Sequence, residues 1–251
     1  MKNILRLSFL TSILQPNSVY ADTFCNEELG STLSNDNRFS LSMFVGEALG
    51  QKFSGENYTI HKKPKSSNTY SIGIGYSFND KFRGEIAVAS FRGFDYKADY
   101  TESHIIAGDV VKVDWQYKQN IKSNTVAINL HHDLRNIHNI TPYISGGIGM
   151  AIVKAGIFDA IGLHDENVGN PPILFDSYDL PCKTQHNFMW NIGAGISYKV
   201  SDFITWDVVN YRYYDLGRAT TEDGKKEGGV VPAVKTKLSA HSITTGIRMN
   251  F

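Results

Sequence analysis

The sequence has no apolar run approaching the roughly 20 residues that a membrane-spanning helix needs. That excludes a helical membrane bundle. It leaves spanning by strands open, because barrel strands alternate apolar and polar residues and are never hydrophobic in bulk. Charge of one sign is not in excess either: 25 Lys and Arg stand against 25 Asp and Glu. Such a balance argues against a nucleic acid as partner. Two cysteines are present, Cys25 and Cys182. Export would permit a disulfide, but the topology read below sets Cys25 on the inner side of a membrane and Cys182 in an outer loop, so no bond between them is expected. Cys25 follows Asp22-Thr23-Phe24, without the small residue expected beside a lipidated cysteine.

The N-terminus reads as a targeting signal. Lys2 and Arg6 flank a start that turns apolar through Ile4, Leu5, Leu7, Phe9, Leu10, Ile13 and Leu14, and Val19-Tyr20-Ala21 precedes a cut. A secretory signal peptide over 1–21 is expected, then a polar periplasmic lead-in over 22–37, then one domain over 38–251.

What the mature chain has in quantity is alternation. In the last stretch, 238–251, His241, Ile243, Thr245, Ile247, Met249 and Phe251 share one face, and Ser242, Thr244, Gly246, Arg248 and Asn250 the other. A period of two is the pattern of a strand. The cleanest earlier case sets Tyr70, Ile72, Ile74, Tyr76 and Phe78 against Ser71, Gly73, Gly75 and Ser77. Similar segments start near Phe39, Phe82, Asn124, Pro142, Asn187 and Ile204. In the segment from Ile204 both Trp206/Val208 and Val209/Tyr211/Tyr213 suit lipid, which a bulge would resolve.

These eight segments are joined by connections that alternate long and short. The long ones cover 47–68, 94–121, 154–186 and 217–237; Val110 to Tyr117 could extend a strand above the membrane. Short inner turns, long outer loops and an even strand number belong to membrane barrels. The expectation is an all-β chain: a single eight-stranded antiparallel transmembrane β-barrel with four long outer loops and short periplasmic turns. A soluble lipocalin-like barrel is the alternative, with the apolar faces turned inward. Aromatics gather at strand ends, with Tyr70, Tyr211, Tyr213 and Tyr214 outside and Phe78, Phe82, Tyr198, Phe203 and Trp206 inside, as interfacial girdles do.

No catalytic or metal set emerges. The glycines at 73, 75, 146, 147, 149, 193 and 195 lie inside alternating strands with no helix following, so they are small residues on a crowded lumen face rather than a phosphate loop. Arg83, Glu85, Lys199 and Arg248, with Asp207, fall near one end and are expected to form a salt-bridged lumen plug, since buried charges must be paired. An eight-stranded barrel is just filled by its side chains, so an open pore is not expected. His241-Ser242 and His131-His132 are adjacent in strands and therefore face opposite ways. His164-Asp165-Glu166 reads as a solvated loop tip. The first loop carries His61-Lys62-Lys63 and Lys65, and the third is mainly acidic.

At Pro142-Tyr-Ile-Ser-Gly-Gly-Ile-Gly149, Asn191-Ile-Gly-Ala-Gly-Ile-Ser-Tyr198, Tyr211-Arg-Tyr213 with Asp215-Leu-Gly217, and Thr245-Gly-Ile-Arg-Met-Asn-Phe251, the chain resembles the OmpA-like β-barrel and surface-antigen superfamily. Its layout is similar to rickettsia-type outer-membrane adhesins. The resemblance implies a bacterial outer-membrane protein, assembly by the outer-membrane insertion machinery, and contact with outer-membrane lipid and with host-cell surface proteins through outer loops. The function it implies is a non-enzymatic surface antigen or adhesin without cofactor. The alternatives are a narrow small-solute or ion channel and an outer-membrane lipid-modifying enzyme.

Overall fold

The computed structural model describes residues 38–51, 65–106, 109–164, 173–226 and 229–251. The expected signal peptide and lead-in, Cys25, the His61-Lys62-Lys63 run and Asp165-Glu166 lie outside the described residues.

The strands, in chain order, are β1 (Phe39–Gly50), β2 (Ser67–Ser77), β3 (Phe82–Ile106), β4 (Asp109–Asp133), β5 (Ile140–His164), β6 (Ile173–Leu180), β7 (Lys183–Lys199), β8 (Ile204–Thr220), β9 (Gly224–Lys226), β10 (Gly229–Val231) and β11 (Lys235–Asn250). β1 to β5 pair in sequence. β5 pairs with β7, β7 with β8, β8 with β11, and β11 returns to β1, so eight antiparallel strands close a ring. The seam is pinned at its end by Phe39 and Phe251, whose backbone amides each donate to the other's carbonyl at 3.1 and 2.8 Å.

Which way the alternation faces decides between membrane and soluble barrels. Ile72, Ile86, Ile128, Ile148, Ile192 and Ile247 are all exposed on the outer wall, Ile128 by 65%. Ser42, Thr125, Asn129, Ser145, Asn191 and Ser242 are buried in the lumen. Apolar outside and polar inside is the membrane arrangement, and it excludes the lipocalin-like alternative.

Short turns sit at one end. Asn79 Oδ1 accepts from the amides of Lys81 and Phe82 at 2.9 and 2.8 Å, and Ser201 Oγ accepts from Ile204 N at 3.0 Å. Aromatic rings collar this end: Phe39 with Tyr76, Tyr76 with Phe78, and Phe203 with Phe251, at centroid distances of 5.1–5.6 Å.

At the other end the expected strand extension over 110–117 is present as part of β4, and the expectation of irregular loops elsewhere is corrected. Residues 94–121 are strand almost throughout, and 154–186 are largely β5, β6 and the start of β7. At about 3.3 Å per residue and a tilt near 40°, a 25-residue strand rises about 60 Å, far more than the roughly 25 Å apolar band. The upper halves of β3, β4 and β5 therefore stand clear of the membrane. There the alternation obeys water rather than lipid. Phe94, Tyr96, Val113, Trp115, Tyr117 and Phe158 turn inward, while Asp95, Lys97, Lys112, Asp114 and Lys118 face out. The changeover is marked by an extra residue at Arg92/Gly93 on β3, at Gly156/Ile157 on β5 and at Leu216/Gly217 on β8, while their partners β4 and β11 keep one parity throughout. Each lies where the wall leaves the hydrocarbon and the chain must re-aim its side chains.

On β8 the expected bulge is present. Asn210 pairs with Thr244 and Asp207 with Gly246, so β8 carries one residue more than β11 over this span. Val208 and Val209 consequently both face outward. The hydroxyl of Thr245 ties the bulge down, donating to Asp207 O at 3.0 Å and accepting from Trp206 Nε1 at 3.0 Å. The expectation for Tyr214 is corrected: beyond the bulge it points into the lumen, 5.2 Å from the ring of Phe91.

Candidate functional site

Two parts of the molecule are candidates for function: the filled lumen and the outer tower. In the lumen, Glu85 is the centre of the charged layer. Ser42 Oγ donates to Glu85 Oε2 at 2.7 Å, Asn129 Nδ2 donates to Oε1 at 3.4 Å, and His131 Nε2 lies 3.7 Å from Oε1. Asn191 Nδ2 extends the chain to Asn129 Oδ1 at 3.0 Å. Nearer the short-turn end, Arg83 Nε lies 3.4 Å from Asp133 Oδ2, and Arg248 Nη2 lies 3.9 Å from Asp207 Oδ1. The Arg83 guanidinium stands over the Tyr143 ring at 5.1 Å. Arginines and carboxylates are thus matched and mutually screened, as desolvated charges require.

Of the expected plug residues, Arg83, Glu85, Asp207 and Arg248 meet here. Lys199 does not: it is exposed and pairs with Asp202 at 2.7 Å in the turn that follows it. Sequence reasoning did not place His131, Asp133, Tyr143 or Arg212 in this layer. Arg212 was hidden by the β8 bulge, which shifts its parity. Asp133 and Tyr143 are direct cross-strand partners at the short-turn end, where strand limits are hardest to read.

Beside Glu85 and Arg212, on the side away from Arg83 and Arg248, the lumen narrows to a cavity of about 20 Å³ that Phe44, Asn191 and Tyr214 also line. At about 10–15 Å³ per water centre, it has room for one or two waters. Above that, Phe91, Phe94, Met189, Leu216 and Leu238 are fully shielded and cap the barrel.

The tower continues this cap. Trp115 stacks on Tyr117 at 6.2 Å and meets Tyr178 at 6.1 Å, and Tyr117 meets Phe158 at 5.6 Å. β6 adds an edge to β5. The fourth connection folds against it: Glu222 N donates to Pro181 O at 3.1 Å, and a Cβ on Gly224 would lie 2.6 Å from Leu180 Cδ2. Burial pushes the Tyr96 phenol above its usual range. Desolvation, and next the facing carboxylate of Asp179, raise Asp159. A hydrogen bond to Asp215 at 3.0 Å, with its charge, raises Lys237. The outer connections are therefore a packed platform with a polar outer surface.

The remaining sequence candidates stay apart. Ser242 is buried in the lumen while His241 faces out, bonded to the Tyr211 hydroxyl at 2.7 Å and to Gln51 Nε2 at 3.2 Å. His131 is buried and His132 packs outside on Phe82, ring centroids 4.5 Å apart. Among the described residues no group of three or more His, Cys, Asp and Glu is placed to hold a metal. Cys182 is exposed in the β6–β7 link.

Residues 34–251 match the outer membrane protein beta-barrel domain, and every described residue falls inside the match. The chain belongs to this outer-membrane β-barrel family. It is accordingly a protein of the bacterial outer membrane, with its tower at the cell surface and its short turns in the periplasm. Outer membrane protein PagN of Salmonella typhimurium is 28% identical over 198 residues, covering 77% of each chain. A Rickettsia canadensis protein provisionally named as an adhesin is 25% identical over 229 residues, covering 88% of this chain and 93% of its own. Among solved structures, Neisserial surface protein A aligns over 85% of this chain and 97% of its own, with 14% identity and a TM-score of 0.46.

Proposed function

We propose that this outer-membrane barrel is a non-enzymatic surface adhesin whose tower contacts host-cell surface proteins. The observation that carries the reading is the tower itself. Three strands run far beyond the membrane, bury an aromatic core of their own and present a polar surface outward. Function on rigid scaffolds is commonly carried by such exposed connections. The provisional adhesin names of the rickettsial relatives support the same reading. Supply to the membrane through a signal peptide cut after Ala21, and insertion by the outer-membrane assembly machinery, belong to this proposal.

The test replaces residues 97–118 by a tight turn, which leaves the membrane ring intact. Purified protein should bind host-cell surface proteins, and the trimmed barrel should not. Undiminished binding by the trimmed barrel removes the adhesin reading. The channel alternative is opposed by the charged layer and the aromatic cap; planar-bilayer recordings should be silent. The lipid-enzyme alternative is opposed by His241 and Ser242 lying on opposite faces of β11; His241→Ala should leave lipid composition unchanged.

A further inference from the structure

On the outer wall of β3, β4 and β5 the registers place residues in level rows. Ile86, Ile128 and Ile148 form one row, Val88, Val126 and Met150 the next, and Ser90, Asn124 and Ile152 the one above. The following row is basic. Lys122 pairs directly with Lys154, and Arg92 stands beside Lys122 in the β3 irregularity between Phe91 and Phe94. All three are exposed. With neighbouring strands about 4.8 Å apart, three cations fall within about 10 Å.

The height of this row fixes what it meets. Arg92 is ten residues above Phe82 of the periplasmic collar (92 − 82); at about 3.3 Å per residue and a tilt near 40°, that is about 25 Å, the thickness of the apolar band. The Arg92 guanidinium also rests on the ring of Tyr70, a residue of the outer girdle, at 5.5 Å. The row therefore lies at the outer-leaflet headgroup level. Like charges directly opposite each other destabilise a sheet. Among the described residues no carboxylate is paired with Arg92, Lys122 or Lys154; Asp95, the acid just above, accepts instead from Asn120 at 2.6 Å. By contrast the higher lysine pair, Lys97 with Lys118, has Asp159 as the next neighbour of Lys118.

We propose that Arg92, Lys122 and Lys154 form a binding site for the phosphate groups of an outer-leaflet glycolipid. The phosphates neutralise a row that the protein itself leaves unbalanced, and acyl chains descend the apolar rows below. This site concerns the surrounding lipid and is independent of the adhesin reading.

The experiment uses the purified full-length barrel in neutral detergent and native mass spectrometry, with diphosphoryl lipid A, its dephosphorylated form and soluble heparin as probes. Each cation near an anionic leaflet contributes about fivefold in affinity, so Arg92→Gln/Lys122→Gln/Lys154→Gln should retain diphosphoryl lipid A roughly a hundredfold more weakly. Lys97→Gln/Lys118→Gln should retain it as the native protein does, and the dephosphorylated form should not be retained. Lys122→Gln alone relieves the like-charge pair, so it should raise the melting temperature of lipid-free protein while lowering lipid retention. A merely structural role for Lys122 would move both in one direction. Equal retention by the triple variant overturns the proposal. So does tighter binding of heparin than of lipid A through the same three residues, which would make the row a site for a soluble polyanion.

Discussion

Ser42 and Glu85 meet over the top of an intervening strand. Gly73 of β2 lies between them, and a Cβ there would sit 2.8 Å from Glu85 Cδ and 2.9 Å from Ser42 Oγ. The missing side chain is what lets the hydroxyl of β1 donate to a carboxylate of β3. Removing one member of such a buried set strands the others. Glu85→Ala is expected to cost about 3 kcal/mol, read by urea unfolding of the barrel refolded in vesicles. Glu47→Ala, on the exposed outer wall, should change stability by less than about 0.5 kcal/mol. Equal effects would show that the lumen layer carries no special stability.

A second pair of variants tests lumen crowding. A Cβ on Gly195 would fall 2.4 Å from Tyr143 Cζ and 2.7 Å from Val209 O, whereas the nearest atom to one on Gly146 is 3.8 Å away. Gly195→Ala should lose about 1–3 kcal/mol by overpacking. Gly146→Ala should be neutral or gain up to about 1 kcal/mol by restricting the unfolded chain. The same unfolding assay decides, and the reverse order would contradict the packing described.

Facing is set by parity, so single deletions should differ sharply by place. Deleting Val208 removes only the extra residue of the β8 bulge and restores regular alternation; the variant should fold and keep heat-modifiable gel migration. Deleting Val126 reverses one side of β4 and turns either the polar lumen residues Asn129 and His131 toward lipid or the outer ones inward. That variant should fail to fold. Successful folding of both would refute the assigned register.

The tower has a pH dependence of its own. Asp159 pairs directly with Asp179 across β5 and β6, and burial, with the Asp179 charge next, raises its folded value above the ordinary 3.8. A raised carboxyl stabilises the fold when protonated. Its contribution is full below 3.8 and is lost as pH climbs through the folded value. Asp179→Asn removes the facing charge, so at neutral pH the amides of Phe158 and Ala160 should exchange with solvent more slowly than in the native protein. Below about pH 3.8 the difference should vanish. A difference that grows with acidification would reverse the assigned sign.

The membrane half of the fold was legible because lipid imposes one rule on it. Every outward position from Ile72 to Ile74, from Val126 to Leu130 and from Ile144 to Met150 must be apolar or glycine, and the alternation is then visible without partners. Of the tower only β4 was legible, with 110–117 read as its upward extension and odd positions inward from Val113 to His131; the rest was not, for the opposite reason. Above Phe91 β3 re-aims at a register irregularity, so Phe94 and Tyr96 turn inward on even numbers where Arg83 to Phe91 did so on odd ones. Read as one strand, this looks like broken periodicity, hence a loop. The plug was half legible: charge marked Arg83, Glu85 and Arg248, but Lys199 shares their sequence character and differs only in standing at the rim, where Asp202 reaches it.

The most direct test of the account is the environment of two neighbouring positions. Spin labels are placed by Ile128→Cys and, separately, Asn129→Cys, with Cys25 and Cys182 changed to serine, in the protein reconstituted in bilayers. Ile128 should relax strongly with membrane-dissolved oxygen and weakly with a water-soluble nickel chelate, and Asn129 should be shielded from oxygen by the filled lumen. Oxygen access at position 129 with nickel access at 128 would place the apolar face in water and the polar face in lipid, and the account would fall.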